Sequence, residues 1–290
     1  LPQTIGSKTP EFSDVRFLTT LLAYHVSTIS EPSPQLEKIP VAQLQRLAIT
    51  PSQCINETTF VLKSEQLHYL TRVLRLTAGD RFIAIPGTGA WWLAELHANA
   101  EAKILQTLTP DTELVGKLTL LAAPSKGNGF DDVVRITTEL GVSQIVPLIT
   151  QRTVLQPSPH RITRWQRIAQ EAAEQSHRLI VPDIAPPLAM ADALQYSQQA
   201  VAHGQSCYIG TVDPRQPHLL QHPIASEHQG VVILVGPEGG WTEAEQENAI
   251  AAGCKPFSLG RRVLRAITAA IVVIALFSAQ YELEDRSAKQ

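Results

Sequence analysis

Only three of the 290 residues are cysteine, and Cys54, Cys207 and Cys254 lie far apart with no C-x-x-C pair among them. An odd set, scattered along the sequence, argues against a disulfide framework or a cysteine zinc site and fits a reducing cytoplasm. Charge is also sparse: 18% of residues carry it and the net balance is -3. That removes any global attraction to naked nucleic acid and leaves only a local basic face to bind it. No apolar run reaches the ~18 residues of a membrane-spanning helix. The most apolar stretch, Ala266 to Ala279, reads as a buried helix. Methionine occurs once, at Met190, and not at the start. Val15 to Ile29 lacks the charged front and cleavage site of a signal peptide, so residues 1–40 are expected to be an extension, poorly ordered or upstream of the true start. Internal repeats and low-complexity tracts are missing too. Of the nine histidines, His218 and His222 alone have H-x-x-x-H spacing, and their Pro- and Gln-rich surroundings are no helix face, so no metal is expected. A G-x-S-x-G elbow is absent, which argues against a serine hydrolase.

What is present divides into two rhythms. Strands are predicted at Gln45 to Ile49 and Thr59 to Leu62, joined by a short connection, and a helix at Ser64 to Leu76 with Ser64 as its N-cap. Alternating strands follow in "RFIAIPGTGAWWLAEL" and "AKILQTL", so 41–113 reads as a small β-rich module with its boundary at Asp111 to Gly116. Over 114–290, strands alternate with amphipathic helices. "LTLLAAP" precedes a helix in "GFDDVVRITTELG" closed by Gly141, and "SQIVPLI" precedes a long helix at Arg161 to Gln175. Such alternation predicts βαβ units and a mostly parallel sheet, an α/β fold.

Ligands of such sheets sit beyond the carboxyl ends of the strands. Two glycine-bearing strand exits stand out there. The strand Val231 to Val235 runs into Gly236-Pro237-Glu238-Gly239-Gly240, with a helix from about Thr242; "SLGRRVLRAIT" follows a later strand. Neither is a dinucleotide fingerprint or a phosphate loop. Ser125-Lys126-Gly127-Asn128-Gly129, after another strand, also falls short of the phosphate-loop pattern. On local grounds two readings of the glycine loop stay open: a tight helix-capping turn that binds nothing, or one wall of a pocket whose other wall carries Arg261, Arg262 and Arg265.

Together, "LVGPEGGWTEAE" and "LGRRVLRAITAAI" resemble the two cofactor-loop motifs of the RsmE family of 16S rRNA uracil-N3 methyltransferases, in the SPOUT superfamily. The likeness runs from about Leu44 to Leu283 through "PSKGNGFDDVVRITTELGVSQIVPLITQRT", "RWQRIAQEAAEQSHR" and "HYLTRVLRLTAGDRF". It implies a PUA-like, RNA-holding β-barrel over 41–113 and a SPOUT α/β domain with a trefoil knot over 114–290. It also implies S-adenosylmethionine as cofactor, a homodimer, and 16S rRNA within the 30S subunit as substrate. Carried over residue by residue, the cofactor contacts are Leu234, Gly236, Pro237, Glu238, Gly239, Gly240, Leu259, Gly260, Leu264, Arg265, Thr268 and Ala269. Arg265 is expected to stabilise charge on the uracil and Glu238 to take its proton. Arg72, Arg75, Arg81, Lys126 and Arg152 are the expected RNA contacts.

Three positions depart from the family pattern. The last motif commonly reads Leu-Arg-Thr-Glu-Thr-Ala, and Ile267 stands where that glutamate would be, so its role cannot be carried over. His177 replaces a frequent glycine and Ile180 an arginine. Two rivals follow: another SPOUT methyltransferase acting on tRNA or a ribose hydroxyl, and a catalytically impaired RNA-binding homologue.

Overall fold

The computed structural model describes residues 44–222 and 230–288; the expected extension over 1–40 lies outside them. The first sheet is built from β1 (Arg46–Ala48), β2 (Cys54–Asn56), β3 (Thr59–Val61), β4 (Arg81–Ile85), β5 (Trp91–Leu96) and β6 (Glu101–Leu108), with the short helix α1 (Ser64–His68) inserted after β3. The strand order is β1-β4-β5-β6-β3-β2. Its two edge strands, β1 and β2, are consecutive in the chain, so the sheet must curl to bring them together. Phe60, Leu70, Phe82 and Ala94 fill the interior of the curl.

Two expectations need correction here. The connection between the first two predicted strands holds a strand of its own, β2, which pairs antiparallel with β3 across a register shift. The helix expected over Ser64 to Leu76 is α1 followed by a π-turn at Tyr69–Val73, closed by Leu74 N–H donating to the Tyr69 carbonyl at 3.0 Å. Lys63, in extended conformation, occupies the N-cap instead of Ser64, and its N–H is satisfied by Gln66 Oε1 at 2.8 Å.

The second half contains β7 (Leu118–Ala122), α2 (Gly129–Glu139), β8 (Gln144–Ile149), α3 (Pro159–Gln175), β9 (Asp183–Ile184), β10 (Leu188–Ala189), α4 (Met190–Ala202), β11 (Ser206–Gly210), β12 (Val231–Val235), α5 (Glu243–Ala251), β13 (Lys255–Phe257) and α6 (Ala266–Ala288). The sheet order is β10-β8-β7-β12-β11-β13, with β9 beside β8, and every pairing is parallel. All five residues of β7 and of β12 are buried, as strands covered on both faces require. Gly141 closes α2 at φ 96°, where a side chain would be strained.

Helix α6 lines one side of this sheet. Its stretch Ala266–Glu284 has a mean hydropathy of 1.8. Ala270, Val273, Ile274, Phe277 and Tyr281 pack into the main core with Trp165 and Phe130. The buried-helix expectation holds for that face alone, because Thr268, Ile271, Val272, Ala275 and Ala279 stay half-exposed or exposed.

The two sheets meet at Arg178, which is 4% exposed. Its guanidinium donates to Glu113 Oε2 at 2.6 Å and to the carbonyls of Thr138 and Val142 at 3.1 and 2.6 Å. The Glu113 Oε1 atom accepts from Leu179 N–H at 2.7 Å. Trp91 of the first sheet donates from Nε1 to the Arg178 carbonyl at 3.3 Å and shares a small core with Leu179, Ile83 and Ile85.

Candidate active site

Strand β12 lies between β7 and β11, so its exit opens at the middle of the sheet's carboxyl edge. The chain there turns on Pro237 to Gly240, with Gly240 N–H donating to the Pro237 carbonyl at 2.9 Å and Gly240 at φ 68°. Thr242 then caps α5. Its Oγ1 accepts from Glu245 N–H at 3.2 Å, and Glu245 Oε2 accepts from Thr242 N–H at 2.9 Å, a reciprocal capping box. The other glycine-bearing exit follows β13, where Gly260 takes φ 103° and Leu259 to Arg265 lead into α6.

Both exits face one cavity of ≈ 480 Å³. Gly236, Pro237, Glu238, Gly239 and Gly240 line it from the β12 side, and Leu259, Gly260, Leu264, Arg265 and Ala269 from the other. Of the expected cofactor contacts, Leu234 and Thr268 fall outside the lining. Leu234 is fully buried and packs with Cys207 and Ala249 below the loop, while Thr268 is exposed on α6.

Sequence reasoning missed the third wall, Gly210, Thr211 and Val212 at the exit of β11. Its signal was available: "QSCYIG" is a strand that also ends in glycine. Trp241 joins this wall to the glycine loop, donating from Nε1 to the Gly210 carbonyl at 2.8 Å. Phe257 and Val235 form an apolar floor, and Arg152, Arg262 and Arg265 bring positive charge. Glu238 is the only acid among the described residues of the lining.

The expected RNA contacts do not form one cluster by element. Arg72 and Arg75 are exposed around the π-turn, Arg75 at φ 60°, and Arg81 heads β4 opposite Glu95. Lys126 is exposed on the loop between β7 and α2, which Arg161 holds by donating to the Gly127 carbonyl at 2.8 Å. Arg152 alone stands in the cavity wall, donating to the Gly239 and Trp241 carbonyls at 2.8 and 3.1 Å.

Ile267 lies outside the cavity lining and packs against Gly129 at the start of α2, leaving no room there for a side chain on Gly129. The Ser125 hydroxyl beside it is buried and has no hydrogen-bond partner among the described residues. The histidine pair is used structurally: His218 Nδ1 accepts from Leu220 N–H at 3.2 Å, and His222 packs edge-on against Tyr208.

A cavity of this size suits a nucleoside-sized molecule. Its floor is apolar, and the Glu238 and Gly239 N–H groups have no acceptor among the described residues. Apolar walls for a flat ring with free backbone donors at the rim fit an adenosine-bearing cofactor.

Comparison with known proteins agrees. The RNA methyltransferase domain family matches residues 112–278, and the RNA methyltransferase PUA domain family matches residues 62–106. The chain is 39% identical over 259 residues to the ribosomal RNA small subunit methyltransferase E of Synechocystis, covering 88% of this chain and 84% of that one. It is 28% identical over 249 residues to the protein of that name from Bacillus subtilis, covering 82% and 96%. Among solved structures, a ribosomal RNA small subunit methyltransferase E from Neisseria gonorrhoeae bound to S-adenosyl methionine superposes with TM-score 0.71 at 30% identity, covering 82% of this chain and 98% of that one. A Legionella pneumophila methyltransferase in complex with the same cofactor gives TM-score 0.70 at 26% identity, with coverage of 82% and 98%.

Proposed function

The chain belongs to the ribosomal RNA small subunit methyltransferase E family, and on that premise we propose that it methylates N3 of one uridine in 16S ribosomal RNA, using S-adenosylmethionine. The observation that carries this reading is the convergence of two glycine-bearing strand exits on one cavity that also holds Arg265 and Glu238. Gly236 to Gly240, Leu259, Gly260, Leu264 and Ala269 would hold the cofactor, which supplies an electrophilic methyl group when bound.

The chain's own residues must deal with the acceptor. Uracil N3 carries a proton and is a poor nucleophile until it leaves. Arg265 offers fixed donors to the oxygens flanking N3, where negative charge develops. Glu238 accepts the proton, directly or through a water. N3 lies on the Watson–Crick edge, so the base must be unpaired or swung out to reach the cavity. Arg72, Arg75 and Arg81 on the first module would hold phosphates, which position RNA without reading its sequence.

The same reading makes 41–113 the RNA-holding module and 114–290 the methyl-transfer module, with the stretch from β12 to α6 threaded as a trefoil knot. It makes the protein a cytoplasmic homodimer acting on the 30S subunit. The half-exposed apolar stripe of Ile271, Val272 and Ala275 on α6 supports pairing, since a packed second copy would cover it. Calorimetric titration with S-adenosylmethionine, followed by methylation of 30S subunits that lack the modification, tests the proposal. Absence of cofactor binding would overturn it.

A further inference from the structure

Resting on that cofactor-site reading, we propose that Arg152 is a positioning residue for the glycine loop and sets cofactor affinity, instead of being an RNA contact. The turn that follows β8 is stiff: Thr150 N–H donates to Thr153 Oγ1 at 2.9 Å and Thr153 N–H to the Thr150 carbonyl at 3.2 Å. Arg152 projects from this turn across to the glycine loop. One nitrogen, Nη1, donates to the carbonyls of both Gly239 and Trp241, at 2.8 and 3.1 Å. The side-chain stem closes on the same loop, with Arg152 Cβ only 3.2 Å from where a side chain on Gly239 would begin. One residue earlier, Gln151 N–H donates to Glu245 Oε1 at 2.8 Å, while the second oxygen of that carboxylate caps α5 at Thr242. Three bonds from the β8 exit therefore hold the loop at Gly239, at Trp241 and at the helix that follows.

The consequence for binding comes from which backbone groups are left over. The carbonyls of Gly239 and Trp241 are committed to Arg152, and Gly240 N–H is committed to Pro237. The N–H groups of Glu238 and Gly239 have no acceptor among the described residues, and both residues line the cavity. Three glycines in five positions make Gly236 to Gly240 a segment with much conformational freedom to lose. Holding it in place before the ligand arrives removes that cost from binding. A charged donor shared by two carbonyls suits the task, and a lysine ammonium lacks the fixed planar geometry.

The test uses the full chain as wild type, Arg152→Ala and Arg152→Lys. Three quantities are measured: calorimetric affinity for S-adenosylmethionine, melting temperature without cofactor, and affinity for 30S subunits. Arg152→Ala should weaken cofactor binding about 10-fold or more, as loss of a charged hydrogen bond does. Arg152→Lys should fall between it and wild type. Melting temperature and 30S affinity should stay near wild type, because Arg152 is exposed and lies outside the cores. Unchanged cofactor affinity, or a loss confined to 30S binding, would overturn the proposal. An equal fall of melting temperature and cofactor affinity in both variants would also overturn it, reducing Arg152 to general support. Wild type that binds no cofactor would be a failure of the functional reading, and so is distinguishable.

Discussion

At Gly236 the missing side chain makes room for protein, not ligand: a Cβ there would stand 2.9 Å from the Trp241 ring. Gly240 differs. Its surroundings are open, but φ 68° is a left-handed conformation that costs an ordinary residue about 1–2 kcal/mol. Gly236→Ala should therefore lower both melting temperature and cofactor affinity by displacing Trp241. Gly240→Asn should be tolerated, while Gly240→Val should not, since a β-branched residue resists that backbone. Thermal melts paired with calorimetry check all three, and a normal Gly236→Ala protein would remove Trp241 from the account. Arg265→Ala should cost about 100-fold in single-turnover methylation of 30S subunits, with far less effect on cofactor affinity. A rate within a few-fold of wild type would leave Arg265 a bystander. The sequence shows glycines at a strand exit but not which tertiary neighbour each serves. His177 makes the complementary point. It holds φ 60°, which explains why glycine is frequent at that place in the family pattern. Burial, then the nearby Arg46 charge, push its pKa below the usual 6.5. The folded state thus resists protonation, and its stabilising contribution is present above pH ~6.5 and is lost as pH falls through the lowered folded value. His177→Asn keeps a residue tolerant of φ 60° and removes the titration, so the melting temperature should depend less on acid pH. An unchanged pH profile would contradict this.

Among elements, those with a strong period were legible: the bounds of β12 match the expected Val231 to Val235, and α3 extends the expected helix by only two residues at its start. What escaped was set by contacts distant in sequence. β2 exists because Phe60 pairs with Cys54, and the π-turn after α1 places Leu70 in the interior of the curled sheet. The junction of the two halves was equally hidden. Nothing local in "DTELVG" tells that Glu113 will reach Arg178, a residue that also binds two carbonyls. With Arg178 and Glu113 side chains 5% and 19% exposed, Arg178→Ala would leave a largely buried carboxylate without its counter-charge and take a donor from the Thr138 and Val142 carbonyls. That should destabilise the fold by about 3–5 kcal/mol. Urea unfolding measures it, and a change under ~1 kcal/mol would show the pair to be incidental.

For the whole molecule, alternating strands and helices predict a parallel sheet, yet periodicity has no memory of neighbours. The insertion of β12 between β7 and β11 puts the glycine loop at the centre of the sheet; the strand exits themselves suggested two walls of one pocket, and the resemblance named the cofactor between them. Assembly belongs to this scale too. Val272→Glu places a charge in the half-exposed stripe of α6, so a dimeric wild type should become monomeric by light scattering. Retention of the dimer would move the interface elsewhere. The central claim, methyl transfer to uracil N3, is tested most directly by incubating the purified protein with S-adenosylmethionine and unmodified 30S subunits, then identifying the nucleosides of the 16S RNA by mass spectrometry. The account predicts new 3-methyluridine at a single site, formed about 100-fold more slowly by Arg265→Ala. Methylation on ribose or on another base, or no methylation by a protein that binds the cofactor, would contradict it.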